Sequence, residues 1–185
     1  DTGVLDGASG GILDVRGQND FQGGVTVNFG KMILGGSVLP EGGSVALPAS
    51  NTFKGPITIN GGTFSLRTGS ALPTSLPNIV SAGAGTLELM DSGNFGSLSG
   101  DGTITTATDS LAGSPAAAER VLKITQDTNT TYNGILSDSD GPVLSIEKRG
   151  KGVLSLGAET STYHGSTRIL EGVLQVSKLA TRGPA

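Results

Sequence analysis

Apolar and polar residues alternate along this chain in runs too short for anything but small strands. In Ile57 and Ile59, or in Val153, Leu154 and Leu156, the aliphatic positions recur at a period of two. That spacing sends one side of a segment into a core and the other into solvent. Each run lasts only a few residues before Gly, Asn or Asp interrupts it, and these residues supply the backbone conformations of sharp corners. No stretch keeps helical spacing over a dozen residues. The best helical candidate is Ser114 to Leu122, where Pro115 suits a first turn; a loop is an equally good reading of it.

The alternation is organised into repeats, the first thing to look for in a chain of this kind. An aromatic residue is followed two positions later by Gly at Phe21 and Gly23, at Phe53 and Gly55, and at Tyr163 and Gly165. Four positions on lie Val27, Ile59 and Ile169, then the second glycines Gly30, Gly62 and Gly172, then the apolar pairs Met32 and Leu34, Phe64 and Leu66, Leu174 and Val176. A fourth copy opens at Tyr132 and Gly134, degenerates through "ILSDSDGP" and resumes as "VLSIEKRGKG". Between copies stands a different unit, "GTLELMDSGNFGSLSGDGTITTA". The units fall near residues 10–36, 43–68, 83–106, 120–147 and 150–177 of one elongated domain, residues 1–185.

Short, evenly punctuated strands build sandwiches, propeller blades or solenoids. A sandwich wants longer strands and a few large core residues, and Trp is absent. A β-solenoid wants a narrow interior in which like residues stack on like in successive coils, and small aliphatics with an occasional Phe suit it. At roughly twenty-odd residues per turn the chain predicts about eight coils and a rod roughly 40 Å long.

"KRGKGVLSLGAETSTYHGSTRILEGVLQV" resembles the autotransporter-associated β-strand repeat, also called the passenger-associated transport repeat, over Gly150 to Val176. "GTLELMDSGNFGSLSGDGTIT", Gly85 to Thr105, is similar to the intervening unit of large surface proteins that carry many such repeats. The resemblance implies a right-handed parallel β-helix displayed outside a bacterial cell.

Composition narrows the partners. With 31 Gly, 35% hydrophobic and 4% aromatic residues, the chain buries small groups rather than rings. Phased aliphatics separate it from a disordered linker. A net charge of −4 and a pI near 4.9 argue against nucleic acid or an anionic membrane as the main partner. Without Cys there is no disulfide framework, thiolate metal site or Cys nucleophile. No apolar run reaches the roughly 18 residues of a membrane span, and "DTGVLDGASGG" lacks the regions of a signal peptide. A mature piece or internal fragment of a longer protein, or a filament subunit, is the expectation.

Candidate chemistry is sparse. Enzymes on parallel β-helices need clustered carboxylates and a basic residue on one strand face. Asp14, Glu88, Glu147 and Glu171 are instead scattered, and Glu88 and Glu147 alternate with buried neighbours and should point outward. "SDSDGP" places Asp138 and Asp140 before Gly141 as a fragment of a calcium-loop pattern, without its later Glu. His164 is the only histidine, in a slot held by Gln22 and Lys54 in other copies, so it should face solvent. "EKRGKG", Glu147 to Gly152, fits a solvated corner better than a phosphate loop. Phe21, Phe53, Tyr132 and Tyr163 recur at one phase, which predicts rings packed inside the solenoid rather than an exposed sugar-gripping ladder.

These features predict an extracellular structural or adhesive segment with no cofactor and no catalytic site. Neither "DTGVLDGASGG" nor "SKLATRGPA" looks like a cap, and open strand edges need covering. Head-to-tail stacking into a homo-oligomer, or continuation of a longer chain, is therefore expected, with surface glycans as further partners. The alternative is a carbohydrate-binding or polysaccharide-degrading β-helix. It requires two or more carboxylates and a Lys or Arg converging on one strand face.

Overall fold

The computed structural model describes residues 3–5, 11–16, 19–35, 49–67, 70–71, 77–108, 119–138, 142–158 and 160–177. Asp140, residues 114–118 of the helical candidate, and most of both terminal segments lie outside them. The described residues form strands and turns only, in three stacked parallel faces. The first face stacks β1 (Gly3–Leu5), β4 (Val25–Val27), β7 (Ile57–Ile59), β10 (Asn78–Ser81), β13 (Ser97–Gly100), β16 (Thr130–Tyr132), β19 (Val153–Leu156) and β21 (Val173–Val176). The second stacks β2 (Ile12–Val15), β5 (Lys31–Leu34), β8 (Thr63–Leu66), β11 (Thr86–Leu89), β14 (Thr103–Thr106) and β17 (Ile135–Leu136). The third holds two ladders, β3 (Asn19–Phe21), β6 (Ala49–Phe53) and β9 (Ser70–Ala71), then β12 (Gly93–Phe95), β15 (Arg120–Thr125), β18 (Leu144–Arg149) and β20 (Thr167–Ile169).

Every pairing is parallel and joins a strand to its equivalent one coil away, as β4 to β7, β5 to β8 and β15 to β18. This is a parallel β-helix, as the repeat predicts. Eight strands on the first face give eight coils, a stack about 34 Å tall at the usual strand spacing. Coil length is less regular than twenty-odd residues. Ile79 pairs with Leu98, 19 positions on, whereas Asn19 and Asn51 meet 32 apart. The described strands stay short in both cases.

Alternation fills the interior with rows of like residues. Val25, Ile57, Ile79 and Leu98 stack on the first face. Met32, Phe64, Leu87, Ile104 and Leu136 stack on the second. All are buried, and each fully buried aliphatic stabilises the fold by about 1.5–3 kcal/mol. Since the rows are continuous, every coil relies on its neighbours for its core.

Glycine sets the corner between the first and second faces. Gly11, Gly30, Gly62, Gly85 and Gly102 form a column, and their carbonyl oxygens accept the N–H groups of Lys31, Thr63, Thr86, Thr103 and Ile135 at 2.8–3.0 Å. At Gly30 the requirement is conformational, φ being 71°. At Gly102 it is proximity, because a Cβ there would lie 2.4 Å from the carbonyl oxygen of Gly85.

The repeat does not always land on the same face. The copies at Phe21 and Phe53 turn from the first face into the second: Val27 pairs with Ile59, and Met32 with Phe64. The copy at Tyr163 turns from the third face into the first, since β20 pairs with β18 and β21 with β19. Its Gly172, φ 74°, therefore stacks over Gly150 rather than in the column of Gly30 and Gly62; a Cβ on it would be 2.3 Å from the Gly150 oxygen. The unit written in the sequence is one corner with its two flanking strands. Two of the three corners of a coil accept it, the one from the first face to the second and the one from the third to the first.

Candidate functional site

The third face carries a cluster of outward polar and charged side chains. In β15 the alternation turns Leu122 and Ile124 into the core and leaves Val121 and Lys123 half-buried on the outside. β18 repeats the pattern, with Leu144 and Ile146 inside. Residue-for-residue pairing then aligns Asn94 with Lys123, Lys123 with Glu147, and Glu147 with Arg168. A second line runs beside it, in which Val121 pairs with Ser145 and the Ser166 N–H donates to Ser145 Oγ at 2.9 Å. Along them lies a groove of about 230 Å³, whose lining includes Glu119, Lys123, Glu147 and Arg168.

The groove's charges are unequally engaged. Glu147 is only 6% exposed, and its Oε1 accepts a hydrogen bond from Arg149 Nε at 2.7 Å. Glu119 accepts one from Ser145 Oγ. Lys123 and Arg168 have no ion pair or side-chain hydrogen bond among the described residues. Two carboxylates and two cations thus share one strand face, although each carboxylate already holds a protein donor. Such a surface can present both donors and acceptors to a hydroxylated or charged chain.

Part of this was hidden by the expectation for "EKRGKG". Glu147 points away from the core, as alternation predicts, yet neighbouring coils cover it. Lys148 is fully buried, in line with Ile124 and Ile169. The cause is the six-residue length of β18, which carries the two-residue period through the charged cluster. Lys148 Nζ donates to the carbonyl oxygens of Arg149 and Gly150 at 2.5 and 2.7 Å. Desolvation lowers its pKa, with Glu171 and Asp127 opposing the shift.

Glu88 and Asp14 are tied into ion pairs on the second face, with Lys31 at 2.6 Å and Arg67 at 2.8 Å respectively. Asp138 is a structural cap rather than an open cation ligand. It accepts the N–H groups of Leu144 and His164 at 3.1 and 2.8 Å, and its Oδ1 lies 2.8 Å from His164 Nδ1. Burial pushes its carboxyl upward, but those donors together hold the pKa below the ordinary value. His164 itself is 79% exposed.

The aromatic positions divide. Phe21 and Phe53 stack with centroids 4.8 Å apart at 12°, and Gly55 lies so close to Gly23 that a Cβ would be 2.5 Å from its oxygen. Tyr163 packs half-buried against the core, with its hydroxyl 2.8 Å from Thr167 Oγ1; the Gly165 N–H donates to Leu144 O at 3.0 Å. Tyr132 does not share their phase. It sits on the first face opposite Gly100, its ring buried and its hydroxyl donating to Gly102 O at 2.9 Å. Gly134 follows Gly102 in the column of second glycines, where a Cβ would lie 2.0 Å from the Gly102 oxygen. The Tyr132 ring fills space that two glycines leave free, so the fourth copy is one glycine out of step with the others.

The groove was not legible as a cluster, because Lys123 and Glu147 are 24 residues apart whereas Glu147 and Arg168 are 21 apart. No single period aligns them. A glycine alignment does not reveal them either, because the corner after β15 is Gln126-Asp127-Thr128, where the next coil has Gly150 and Gly152.

No curated protein and no solved structure matches this chain. The family model of the passenger-associated-transport-repeat matches residues 42–66 and 146–176, which include the corners around Gly62, Gly150 and Gly172. The chain is therefore similar to the passenger-associated transport repeat over those two stretches, and its described residues fold as a parallel β-helix.

Proposed function

We propose that this chain is a rigid, non-catalytic segment of a bacterial surface or secreted protein, a stalk or filament element that holds adhesive surface away from its anchor. The observation that carries the reading is the parallel ladder of eight strands on the first face, which makes length and stiffness the fold's main product. The family match supports the surface setting.

The ends support a further step, that the coils continue onto a second copy or onto more chain. Around the last described strand Ile169, Leu170 and Val173 are 52%, 49% and 48% exposed, and near the other end Ile12 is 68% exposed. Apolar residues and open strand edges at the two ends of a solenoid invite a heterologous, head-to-tail contact. Sedimentation over a range of concentrations, with electron microscopy of the concentrated sample, tests this. Linear fibres with the chain's own axial length as their repeat are expected. A strictly monomeric rod at millimolar concentration overturns the stacking.

A further inference from the structure

The groove on the third face has donors that nothing in the chain uses. Asn94, Lys123, Glu147 and Arg168 form one line along the solenoid axis, stepping by about 4.8 Å per coil. An extended chain of pyranose sugars advances by a similar distance per residue, so one sugar can lie over each coil. The charge order along that line is neutral, positive, negative, positive. Lys123 and Arg168 are unpartnered, two steps and about 10 Å apart, while Glu147 between them is buried and held by Arg149.

We propose that this groove binds a linear polysaccharide that carries an acidic group on every second sugar. The acidic groups sit at Lys123 and Arg168, and the neutral sugar between them offers its hydroxyls to Glu147. The Ser166 hydroxyl flanks the line, beside Ser145, whose own hydroxyl is held by Glu119 and Ser166. A chain with an acid on every sugar is rejected, because it sets a carboxylate against buried Glu147, and such like-charge opposition is how a site discriminates. A neutral chain leaves both cations unanswered. The inference concerns the side of the rod and does not depend on end-to-end stacking.

Calorimetric titration of the whole chain tests it, with hyaluronan oligosaccharides (acid on alternate sugars), oligogalacturonate (acid on each) and dextran (none) as probes. Hyaluronan binds and the other two do not. Lys123→Gln and Arg168→Gln each weaken hyaluronan binding about tenfold, the worth of one charged hydrogen bond, while Lys151→Gln at an exposed corner leaves it unchanged. Glu147→Gln lets oligogalacturonate in. Unaltered melting and sedimentation of the variants would separate loss of the site from loss of the fold or of stacking. Equal binding of hyaluronan and oligogalacturonate, absence of hyaluronan binding, or indifference to both Gln variants each overturns the proposal.

Discussion

The hydroxyl of Tyr132 donates to the carbonyl oxygen of Gly102 in the coil before it, at 2.9 Å, inside a core that is otherwise aliphatic at this level. Burial, reinforced by Asp101, pushes this phenol above its ordinary value of 10.0. A group whose folded pKa is raised contributes stability that is complete below the unfolded pKa and is lost as pH rises past it. Melting temperature should therefore fall on going from pH 9 to pH 12. Tyr132→Phe should flatten this alkaline loss and cost about 1 kcal/mol at neutral pH. Thermal melts of both proteins across that range check it, and an identical alkaline slope in the variant refutes it.

Two glycines separate conformation from proximity. Gly102→Ala drives a methyl to 2.4 Å from Gly85 O, backbone that cannot yield without shifting a coil, and should cost about 3 kcal/mol or more. Gly83 has φ 57° but its nearest neighbour to a Cβ is Asn60 O at 3.7 Å. Gly83→Ala should lose only the left-handed backbone preference, about 1–2 kcal/mol. Urea unfolding of the two variants gives the comparison, and equal costs would remove close packing of coils as the reason for the glycine column.

Acid should act through Asp138. Its carboxyl is held below the ordinary 3.8 by the N–H groups of His164 and Leu144 and the His164 ring, against the effect of burial. A depressed pKa contributes stability that is present above the unfolded value and is lost as pH falls through the folded one. Asp138→Asn should be less stable at pH 7 and should lose less on acidification below about pH 4. Circular dichroism during acid titration reads this directly; parallel curves for parent and variant count against it.

Lys148 gives a test of what a buried charge contributes. Lys148→Met keeps the stem and removes both the charge and its desolvation cost, so stability should stay within about 1 kcal/mol of the parent. Lys148→Ala empties a fully buried site and should lose about 3 kcal/mol. If Met is as damaging as Ala, the hydrogen bonds to Arg149 O and Gly150 O are what hold this corner.

Features set within a corner were visible in the sequence. Ile57, Ile59, Phe64 and Leu66 show their inward face through the two-residue period, and Gly30 marks its turn by local backbone need. Features set between coils were not. The tripeptides that begin at Phe53 and Tyr132 look alike, but Tyr132 is placed by the glycines of the coil beneath it, at Gly100 and Gly102. Nothing adjacent in the sequence distinguishes the two. The line from Lys123 to Arg168 is likewise the product of unequal coil lengths, which only strand pairing reveals.

The sharing of one unit by two corners has a consequence for how such a rod can change over time. Gaining or losing one strand with its corner leaves every inward side chain inward, but swings all later strands onto the next face. A line of surface residues such as Lys123, Glu147 and Arg168 would then look out in a new direction around the axis with its spacing intact. Reach and bearing can thus be altered separately, the first by whole coils and the second by single corners.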